Sequence, residues 1–462
     1  MNVVVWAIIG YIVIILSIGW ITGRKGAVQG AREFFVAGAD LRWFFIFPFV
    51  GGELASAWIA VGNAQMAYDT GIAVLMYFLG TPIAVFLVVF LLSKFLLRIR
   101  KVSLGEVFAL LFDQKTRLAF VIVSLITSMF IMGGVALQLG TLVAPMLNIP
   151  YEAGALLSAV IIAGMALLGL RGVAWMNLAH FSVIITGFVI AGVASVNAVG
   201  GLGNLIALLP AKHLNPVAPG WATVMGWLIP TILGGLFSPI TVMAMFASKS
   251  LRDARIGAIG GALVVFLLVF MPMAIGLSAR VIFPDIESKF SLWVMGEHLG
   301  LSISVLISVA TTACIISTTP GTLLARSAMA TRDLFLLVKP DASDKTQLNF
   351  NTIFVPLYII IGTLLVLGEG NLLLIIIKVA QVRLFFGVLV VVSVAWRRIH
   401  PTAAFWSLIG SFGVGVMWWI ADSPFGISIT WPTLAVGLLI LVITSLIKRP
   451  SPFKGAEGLE LQ

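Results

Sequence analysis

The chain has 462 residues, of which 60% are hydrophobic and 10% are charged, a composition typical of a polytopic membrane protein rather than a water-soluble domain. Its single cysteine excludes a disulfide framework and a cysteine-based metal site, and the four scattered histidines argue against any other metal site. The net charge of +10 is explained by basic loops at a membrane surface and requires no nucleic-acid partner.

Apolar runs of about twenty residues or more, separated by polar breaks, predict roughly thirteen membrane-spanning helices. The predicted spans are 3–22, 43–66, 72–98, 118–147, 151–170, 174–199, 221–248, 254–281, 298–333, 349–368, 371–396, 402–421 and 428–447. The first span is not a cleavable signal peptide, because its positive charges follow the apolar run. We therefore expect an all-α membrane protein in which residues 1–462 form a single transmembrane domain.

The distribution of Lys and Arg predicts how these helices are oriented. If the N-terminus lies outside, the outer segments contain only Lys212, Arg280 and Lys289, whereas the inner loops and tail contain most of the 28 basic residues. Because cytoplasmic loops carry an excess of positive charge, the N-terminus is expected outside and the tail, 448–462, in the cytoplasm. The expected location is the plasma (cell inner) membrane.

A recognisable motif follows the first span. Residues 32–44 read REFFVAGADLRWF. This segment resembles the FF-x-AG-x-x-L-x-W run at the entry to the second helix of the sodium/solute symporters, the family of the sodium/proline, sodium/pantothenate and sodium/glucose carriers. It keeps the aromatic pair, Ala37-Gly38, Leu41 and Trp43. The resemblance implies a secondary transporter with the helical fold of that family.

The second span contains residues that weaken a helix, namely Gly51, Gly52, Ser56, Gly62 and Asn63. An interrupted helix that lines a cavity exposes free carbonyl groups, which are ligands for a cation. Glu53 lies inside this span, where a carboxylate is costly unless it pairs, becomes protonated or binds a ligand. The sequence alone leaves these alternatives open, including a structural Glu53 in a salt bridge.

The sixth span begins with GLRGVAWMNLAHF, residues 169–181, which resembles the family's GG-x-x-A-V-x-W-T-D-x-x-Q run. Trp175 matches the run. Asn177 stands where the family usually has Asp, and His180 stands where it has Gln. These departures indicate a divergent member.

The seventh span carries Pro230, Gly234, Gly235 and Pro239, which predict a second broken helix. Its inner end, ASKSLRDAR, resembles the family's A-x-x-S-x-x-x-A-R run, although Ala244 replaces the usual Arg. The break lies five spans after the first one, so the two breaks are related by position.

Two sets of five helices, each opening with a weakened helix, form the pattern of an inverted repeat. The predicted boundaries are helix one at 3–22, repeat one at 43–199, repeat two at 221–396 and extra helices at 402–447. In such a transporter the substrate lies at the midplane, between the two broken helices.

The ninth span is an apolar helix that is rich in hydroxyl groups. Cys314, Ser317, Thr318 and Gly321 follow at i, i+3, i+4 and i+7 and share one helical face. Two adjacent hydroxyls with a backbone carbonyl one turn earlier suit a small hard cation, which prefers oxygen ligands. The alternative is that Ser and Thr in a membrane helix bond back to the preceding turn or to a neighbouring helix.

The same stretch carries a second part of the family resemblance. Ser317-Thr318 and the later segment TRDLF resemble the family's ninth-helix S-T/S motif followed by T-R-D-I/L-Y. The resemblance implies that one sodium ion is bound by the hydroxyls of Ser317 and Thr318 and by backbone carbonyls. The implied carbonyl ligands belong to Cys314, Gly52 and Ala55.

Some relatives hold a second sodium ion with two more hydroxyls just past this pair and with the sixth-helix Asp. Here those positions are Pro320, Gly321 and Asn177, and each change removes an oxygen ligand or a charge. We therefore expect one sodium ion, alone or together with a proton on Glu53.

The eleventh span contains two cations, Lys378 and Arg383, that hydropathy alone disfavours. Five residues separate them, so they lie on different faces of a helix, and Lys378 is near enough to the outer end to snorkel. Arg383 lies near the midplane, at a depth similar to that of Glu53. The two charges predict either a structural ion pair or a site for a zwitterion or carboxylate, with Arg383 forming a forked hydrogen bond to the carboxylate. The candidate substrate-binding residues are Glu53, Trp58, Gln381 and Arg383.

The leading functional hypothesis is a sodium-coupled symporter that imports a small organic solute, an amino acid or carboxylate, by alternating access. Two alternatives remain open: a proton-coupled symporter of the same fold, and a membrane sensor that keeps the fold without transport. An enzyme is not expected, because no acid–base or nucleophile constellation appears. The expected partners are the solute, Na⁺ and the lipid bilayer, and the sequence does not indicate an oligomeric state.

Overall fold

The computed structural model of the chain describes residues 2–27, 30–56, 58–99, 101–236, 238–368, 372–396 and 399–448. The predicted tail, 448–462, and the predicted start of the eleventh span at Asn371 lie almost entirely outside these ranges. Within them the backbone is helical, and the single β contact is an isolated bridge between Leu41 and Ser248. The predicted all-α class is confirmed.

Ten described helices are long and apolar enough to cross a membrane, and three shorter apolar helices accompany them. When every break and turn is used to divide the helices, the segments in chain order are α1 (Asn2–Ala27), α2a (Trp43–Leu54), α2b (58–70), α3 (71–99), α4 (Gln114–Leu147), α5 (Tyr151–Ala166), α6 (Gly169–Ala198), α7a (Trp221–Gly235), α7b (Pro239–Ala247), α8 (Leu251–Ile282), α9 (Leu301–Val338), α10 (Asp344–Val366), α11a (Leu372–Val382), α11b (Phe385–Ala395), α12 (Pro401–Ile420) and α13 (Thr430–Ile447). Short connecting helices lie at Ala31–Val36, Leu104–Leu111, Leu202–Leu208 and Ser291–His298. Each predicted span corresponds to an apolar helix or to the two parts of a broken helix, and the count of thirteen membrane crossings stays a prediction.

The helix α2 is broken in its middle, as its glycine content predicts. Helix α2a ends at Leu54, and Ala55 leaves the helical region with ψ 56°. The chain resumes as a π-helical turn at Trp58. Separately, α2b ends at Thr70 because Gly71 adopts φ 68° and ψ −146°, a backbone conformation that only glycine takes easily, so α3 begins there.

The helix α7 is also broken. It stops at Gly235 and restarts at Pro239, after Ser238 has taken an extended conformation with ψ 127°. Proline suits the first position of α7b because the backbone N–H that it lacks would have no helical partner there. Both predicted breaks, in the second and seventh helices, are therefore confirmed.

A third interruption, in α11, was not predicted, because residues 371–396 form one continuous apolar run in the sequence. The helix stops at Val382 and restarts at Phe385. At this point Phe386 N–H donates to the Arg383 carbonyl at 3.2 Å and Gly387 N–H donates to the Leu384 carbonyl at 3.1 Å. These i to i+3 bonds tighten the helix locally. Residues 382–385 contain no Gly or Pro, so the sequence does not predict a break here.

The two family-like segments that enter α2a and leave α7b are bound to each other. Leu41 N–H donates to the Ala247 carbonyl at 2.9 Å, and Lys249 N–H donates to the Leu41 carbonyl at 2.8 Å. The first turn of α2a is held in the same way, since Trp43 N–H donates to Asp253 Oδ1 at 2.9 Å. The ends of α2a, α7b and α8 are thus joined into one unit.

Helix α1 contacts α6 through a buried polar pair. Tyr11 Oη lies 2.5 Å from His180 Nδ1, and the two rings meet edge to face. His180 is 1% exposed, so the hydroxyl partner satisfies one of its ring nitrogens inside the protein. Tyr11 therefore provides a hydrogen-bond partner for His180, the residue that differs from the Gln of the family pattern.

The crossing of α4 and α10 supplies a matched pair of adjacent glycines for a test of packing. A Cβ added at Gly133 would overlap the Gly362 carbonyl, whereas a Cβ at Gly134 would meet nothing within 4 Å. We expect Gly133→Ala to destabilise the protein by about 2–3 kcal/mol, because backbone cannot move aside as a side chain can. Gly134→Ala should be neutral or stabilising by up to about 1 kcal/mol through better helix propensity.

The measurement is the thermal stability and folded yield of the two purified variants against the unmodified protein. Equal stability of both variants would show that α4 and α10 do not approach as closely as the structure places them.

Candidate functional site

The predicted sodium ligands from α2 and α9 meet at the break in α2. Ser317 Oγ donates to the Gly52 carbonyl at 2.8 Å and lies 3.2 Å from the Cys314 carbonyl, to which Thr318 Oγ1 also donates at 3.2 Å. Ser317 and Cys314 are fully buried. Two carbonyl and two hydroxyl oxygens therefore converge in a site that offers a hard cation the ligands it prefers.

Both readings of the hydroxyl-rich helix have support in this geometry. Ser317 and Thr318 bond back to the carbonyl three and four residues earlier, as hydroxyls in membrane helices commonly do. Ser317 in addition reaches across to Gly52 on another helix. This bridge to a broken helix distinguishes Ser317 from Thr319, whose hydroxyl donates to the Ile315 carbonyl at 3.2 Å and to no other described residue.

Ala55 lies at the break, one residue past the end of α2a, and is fully buried. In a continuous helix its carbonyl would accept from Ile59 N–H, but Ile59 N–H donates to the Ser56 carbonyl at 2.9 Å. The Ala55 carbonyl is thereby free of that helical bond. Its role as a sodium ligand stays a prediction.

A cavity of about 200 Å³ adjoins these oxygens. Its walls come from the breaks in α2 and α7 and from α3, α4, α9 and α11, with Ser56, Tyr77, Ser128, Thr231, Ser238, Thr318 and Thr322 among the polar residues. The volume is somewhat below the range of about 300–1,000 Å³ that holds drug-sized ligands, so the cavity suits a small solute. It lies between the two broken helices, and its role as the substrate site stays a prediction.

Three of the four candidate substrate residues line this cavity, namely Glu53, Trp58 and Arg383. Gln381 does not. Its Nε2 donates to the Gly226 carbonyl at 3.2 Å and to Ser428 Oγ at 3.0 Å, so it joins α11a to α7a and to the segment before α13. Two residues along a helix correspond to about 200° of rotation, which turns Gln381 away from the face that carries Arg383.

Glu53 is 2% exposed and points toward α9. Its Oε2 lies 3.4 Å from Thr322 Oγ1, and a Cβ at Gly321 would overlap Oε1. Gly321 therefore provides the space that the carboxylate occupies. A side chain at position 321 would occupy the space of the Glu53 carboxylate from α2, and this contact explains the glycine.

Glu53 and Arg383 do not form the structural ion pair that the sequence left open. Among the described residues, the ion pairs include neither side chain. Glu53 Oε1 and Arg383 Nε are both buried without a hydrogen-bond partner in this part of the chain. Two opposite charges thus line one cavity, each with bonding capacity left over.

Arg326 is a cavity residue that was not among the predicted site residues. It lies in α9, is 2% exposed and lines the same cavity. Its Nη1 donates to Ser124 Oγ at 2.5 Å and its Nε has no partner among the described residues. The signal was present in the sequence, because Arg326 falls inside the predicted span 298–333, where a charge is costly.

A second cavity of about 630 Å³ lies on the side of α2b and the segment that contains the Ser291–His298 helix. Trp58 contributes to the walls of both cavities and is 7% exposed. Gln65, Gln138 and Lys289 give the larger cavity a polar lining. We call it the vestibule, and Trp58 stands between it and the central cavity.

The opposite end of α9 is held by ion pairs. Asp333 is fully buried and bonds Arg117 of α4, with Nη2 2.5 Å from Oδ1. Arg332 lies 3.6 Å from Glu106 on the Leu104–Leu111 helix. The Arg-Asp pair of the TRDLF segment therefore closes the end of the helix bundle that lies away from the vestibule.

Comparisons with known proteins agree with this architecture. A family model described as the sodium:solute symporter family matches residues 34–411. The chain is 24% identical over 383 residues to the sodium/pantothenate symporter of Escherichia coli (strain K12), covering 79% of each chain. It is 22% identical over 408 residues to the sodium/glucose cotransporter of Vibrio parahaemolyticus, covering 75% of this chain and 71% of the relative.

Among solved structures, a Na⁺-coupled sialic acid symporter in a substrate-bound outward-open state matches with a TM-score of 0.80 at 15% identity. The match covers 97% of this chain and 98% of that one. At this level of identity the likeness establishes a shared fold and leaves the solute open.

Proposed function

Because the chain belongs to the sodium:solute symporter family, we propose that it imports a small organic carboxylate, amino acids included, together with sodium by alternating access. The observation that carries the proposal is the bridge from Ser317 to the Gly52 carbonyl, which joins two of the proposed sodium ligands at a break that also lines the cavity. A cation bound there stabilises the break in α2 and hence the cavity wall. Sodium and solute binding are coupled through that shared segment.

The proposed sodium ligands are the carbonyls of Gly52, Ala55 and Cys314 and the hydroxyls of Ser317 and Thr318. The solute is expected against Glu53, Trp58 and Arg383, where a guanidinium can take a carboxylate by two parallel hydrogen bonds. A sugar would require neither charge. This chemistry supports a carboxylate-bearing solute.

Alternating access is supported by the way charges and breaks are distributed. The joined ends of α2a, α7b and α8 form one unit, and α9 is tied to α4 by the Arg117–Asp333 pair at the end opposite the vestibule. Rocking of one repeat against the other would open that end and close the vestibule over Trp58. We place the N-terminus outside and the inner ends, with most basic residues, in the cytoplasm of a plasma (cell inner) membrane.

The experiment that tests the proposal is uptake into proteoliposomes driven by an inward sodium gradient, with choline replacing sodium as the control. Radiolabelled monocarboxylates, dicarboxylates, zwitterionic amino acids and sugars form the panel. Sodium-dependent accumulation of a carboxylate supports the proposal. Uptake driven by a pH gradient without sodium would favour the proton-coupled alternative, and ligand binding without any uptake would favour a sensor.

The stoichiometry gives a separate prediction. The positions of a second ion hold Pro320, Gly321 and Asn177, and the Glu53 carboxylate fills the space beside Gly321. We expect a Hill coefficient of about one for sodium in initial-rate uptake at fixed pH. Asn177→Asp alone should leave it unchanged, because the two hydroxyls are still missing. A coefficient clearly above one in the unmodified protein would contradict a single sodium ion per cycle.

A further inference from the structure

The charges that line the central cavity do not balance. Among its described lining residues, tyrosine apart, the ionisable side chains are Glu53, Arg326 and Arg383. They come from α2, α9 and α11, and none takes part in an ion pair within the described residues. Two guanidinium groups thus face one carboxylate in a membrane-embedded cavity.

Glu53 is oriented toward the cation site rather than toward either arginine. It directly follows Gly52, whose carbonyl bonds Ser317, and its carboxylate lies against Gly321 and Thr322 of α9. A carboxylate in this position compensates the charge of a sodium ion bound at the neighbouring oxygens. Within the described part of the chain, neither guanidinium then has an anionic partner of its own.

Arg326 has unused bonding capacity for such a partner. A guanidinium offers five N–H donors, and the described contacts of Arg326 are Nη1 to Ser124 Oγ at 2.5 Å and to Met329 Sδ at 3.5 Å. Arg383 Nε is likewise buried without a hydrogen-bond partner among the described residues. The two positive charges line the same cavity, so they repel each other. A buried pair of cations of this kind is costly unless an anion binds between them.

We propose that the solute carries two acidic groups, one for Arg383 and one for Arg326, and that an amino group is not required. This inference rests on the proposed function and narrows its substrate class. With sodium compensated by Glu53 and the two arginines compensated by a dianion, the loaded cavity is neutral. A zwitterion would leave two positive charges uncompensated, and a monocarboxylate would leave one. The cavity of about 200 Å³ limits the solute to a short chain.

The test is a comparison of three four-carbon probes on the purified full-length protein near neutral pH. Succinate carries two carboxylates, butyrate one, and γ-aminobutyrate a carboxylate and an ammonium. Affinity is measured by ligand-induced thermal stabilisation, in sodium chloride and in choline chloride. We expect succinate to bind at least about tenfold more tightly than the other two in sodium. Arg326→Gln should reduce this preference to less than about threefold while butyrate binding persists.

Two further variants keep the result interpretable. Arg326→Lys retains the charge and loses the fork, so it should fold and show an intermediate preference, which covers the case in which Arg326→Gln does not fold. Lys378→Gln removes a cation from the same helix as Arg383 but outside the cavity, where Lys378 pairs with the largely exposed Asp422 at 3.2 Å. This control should leave all three affinities unchanged.

The inference is overturned if γ-aminobutyrate or butyrate binds as tightly as succinate in the unmodified protein. It is also overturned if the Arg326 variants lower the affinity for all three probes equally, as a structural role predicts. Sodium-driven uptake of another solute without succinate binding would remove this inference and leave the proposed symport standing. Failure of sodium to stabilise the protein or to drive any uptake would instead remove the proposed function.

Discussion

Replacing Ser317 by Ala together with Thr318 by Val is expected to raise the sodium concentration for half-maximal uptake by at least about tenfold. The two changes remove both hydroxyls from a proposed set of five oxygen ligands. They also remove the bond from Ser317 to the Gly52 carbonyl, so that carbonyl loses its partner as well. The double substitution should change the sodium dependence of uptake rather than the folded yield. Val has a volume similar to that of Thr, and Ala is compatible with the helix.

A matched control for this double variant lies one residue away. Thr319 is fully buried on the same helix and its hydroxyl bonds back to Ile315. Thr319→Val removes a hydroxyl of the same kind that does not reach α2. It should leave the sodium dependence of uptake unchanged. Uptake by the Ser317/Thr318 variant that stays as sodium-dependent as that of the Thr319 variant would refute the proposed ligands.

Arg383→Lys is expected to raise KM for a carboxylate solute by roughly a factor of ten, with a much smaller change in folded yield. Lysine keeps the positive charge in the cavity but cannot form two parallel hydrogen bonds to a carboxylate. Because the break at Arg383 places the guanidinium on the cavity wall, the loss should fall on solute binding. The measurements are the concentration dependence of uptake and the yield of monodisperse protein.

A purely structural role for Arg383 predicts a different pattern. If Arg383 and Glu53 stabilised the fold as a pair, Arg383→Ala and Glu53→Gln would each unfold the protein and the double replacement would rescue it. The structure has no ion pair between them in its described part, so we expect no such rescue of folding. A double variant that folds and transports normally would show that neither residue contacts the solute.

Much of the architecture could be predicted because each feature depends on local physical chemistry. A run of about twenty apolar residues marks a span wherever it packs, since lipid requires every backbone group to be bonded within the helix. Glycine and proline weaken a helix through their own backbone properties, so the breaks at Ala55 and before Pro239 were visible in the sequence. The shared face of Cys314, Ser317 and Thr318 follows from helical periodicity alone.

Other features of the site depend on which helices meet, and the sequence could not decide them. Gln381, like Arg383, is a polar residue inside an apolar span. Its side chain nevertheless bonds to Gly226 and Ser428, because α7a and the segment before α13 lie against its face of the helix. The interruption of α11 at Arg383 could not be predicted either, because residues 382–385 contain no Gly or Pro. Both outcomes depend on contacts between segments far apart in the chain.

By itself, the sequence determined the helical class, the approximate positions of the spans, the two broken helices and the hydroxyl pair at Ser317 and Thr318. Only the tertiary structure decided that Ser317 reaches Gly52, that Glu53 occupies the space left by Gly321, and that Arg326 joins Arg383 on one cavity. The physical reason is that periodicity places a residue on one face of its own helix. The energy of a buried charge or hydroxyl depends instead on the neighbours that other helices bring to that face.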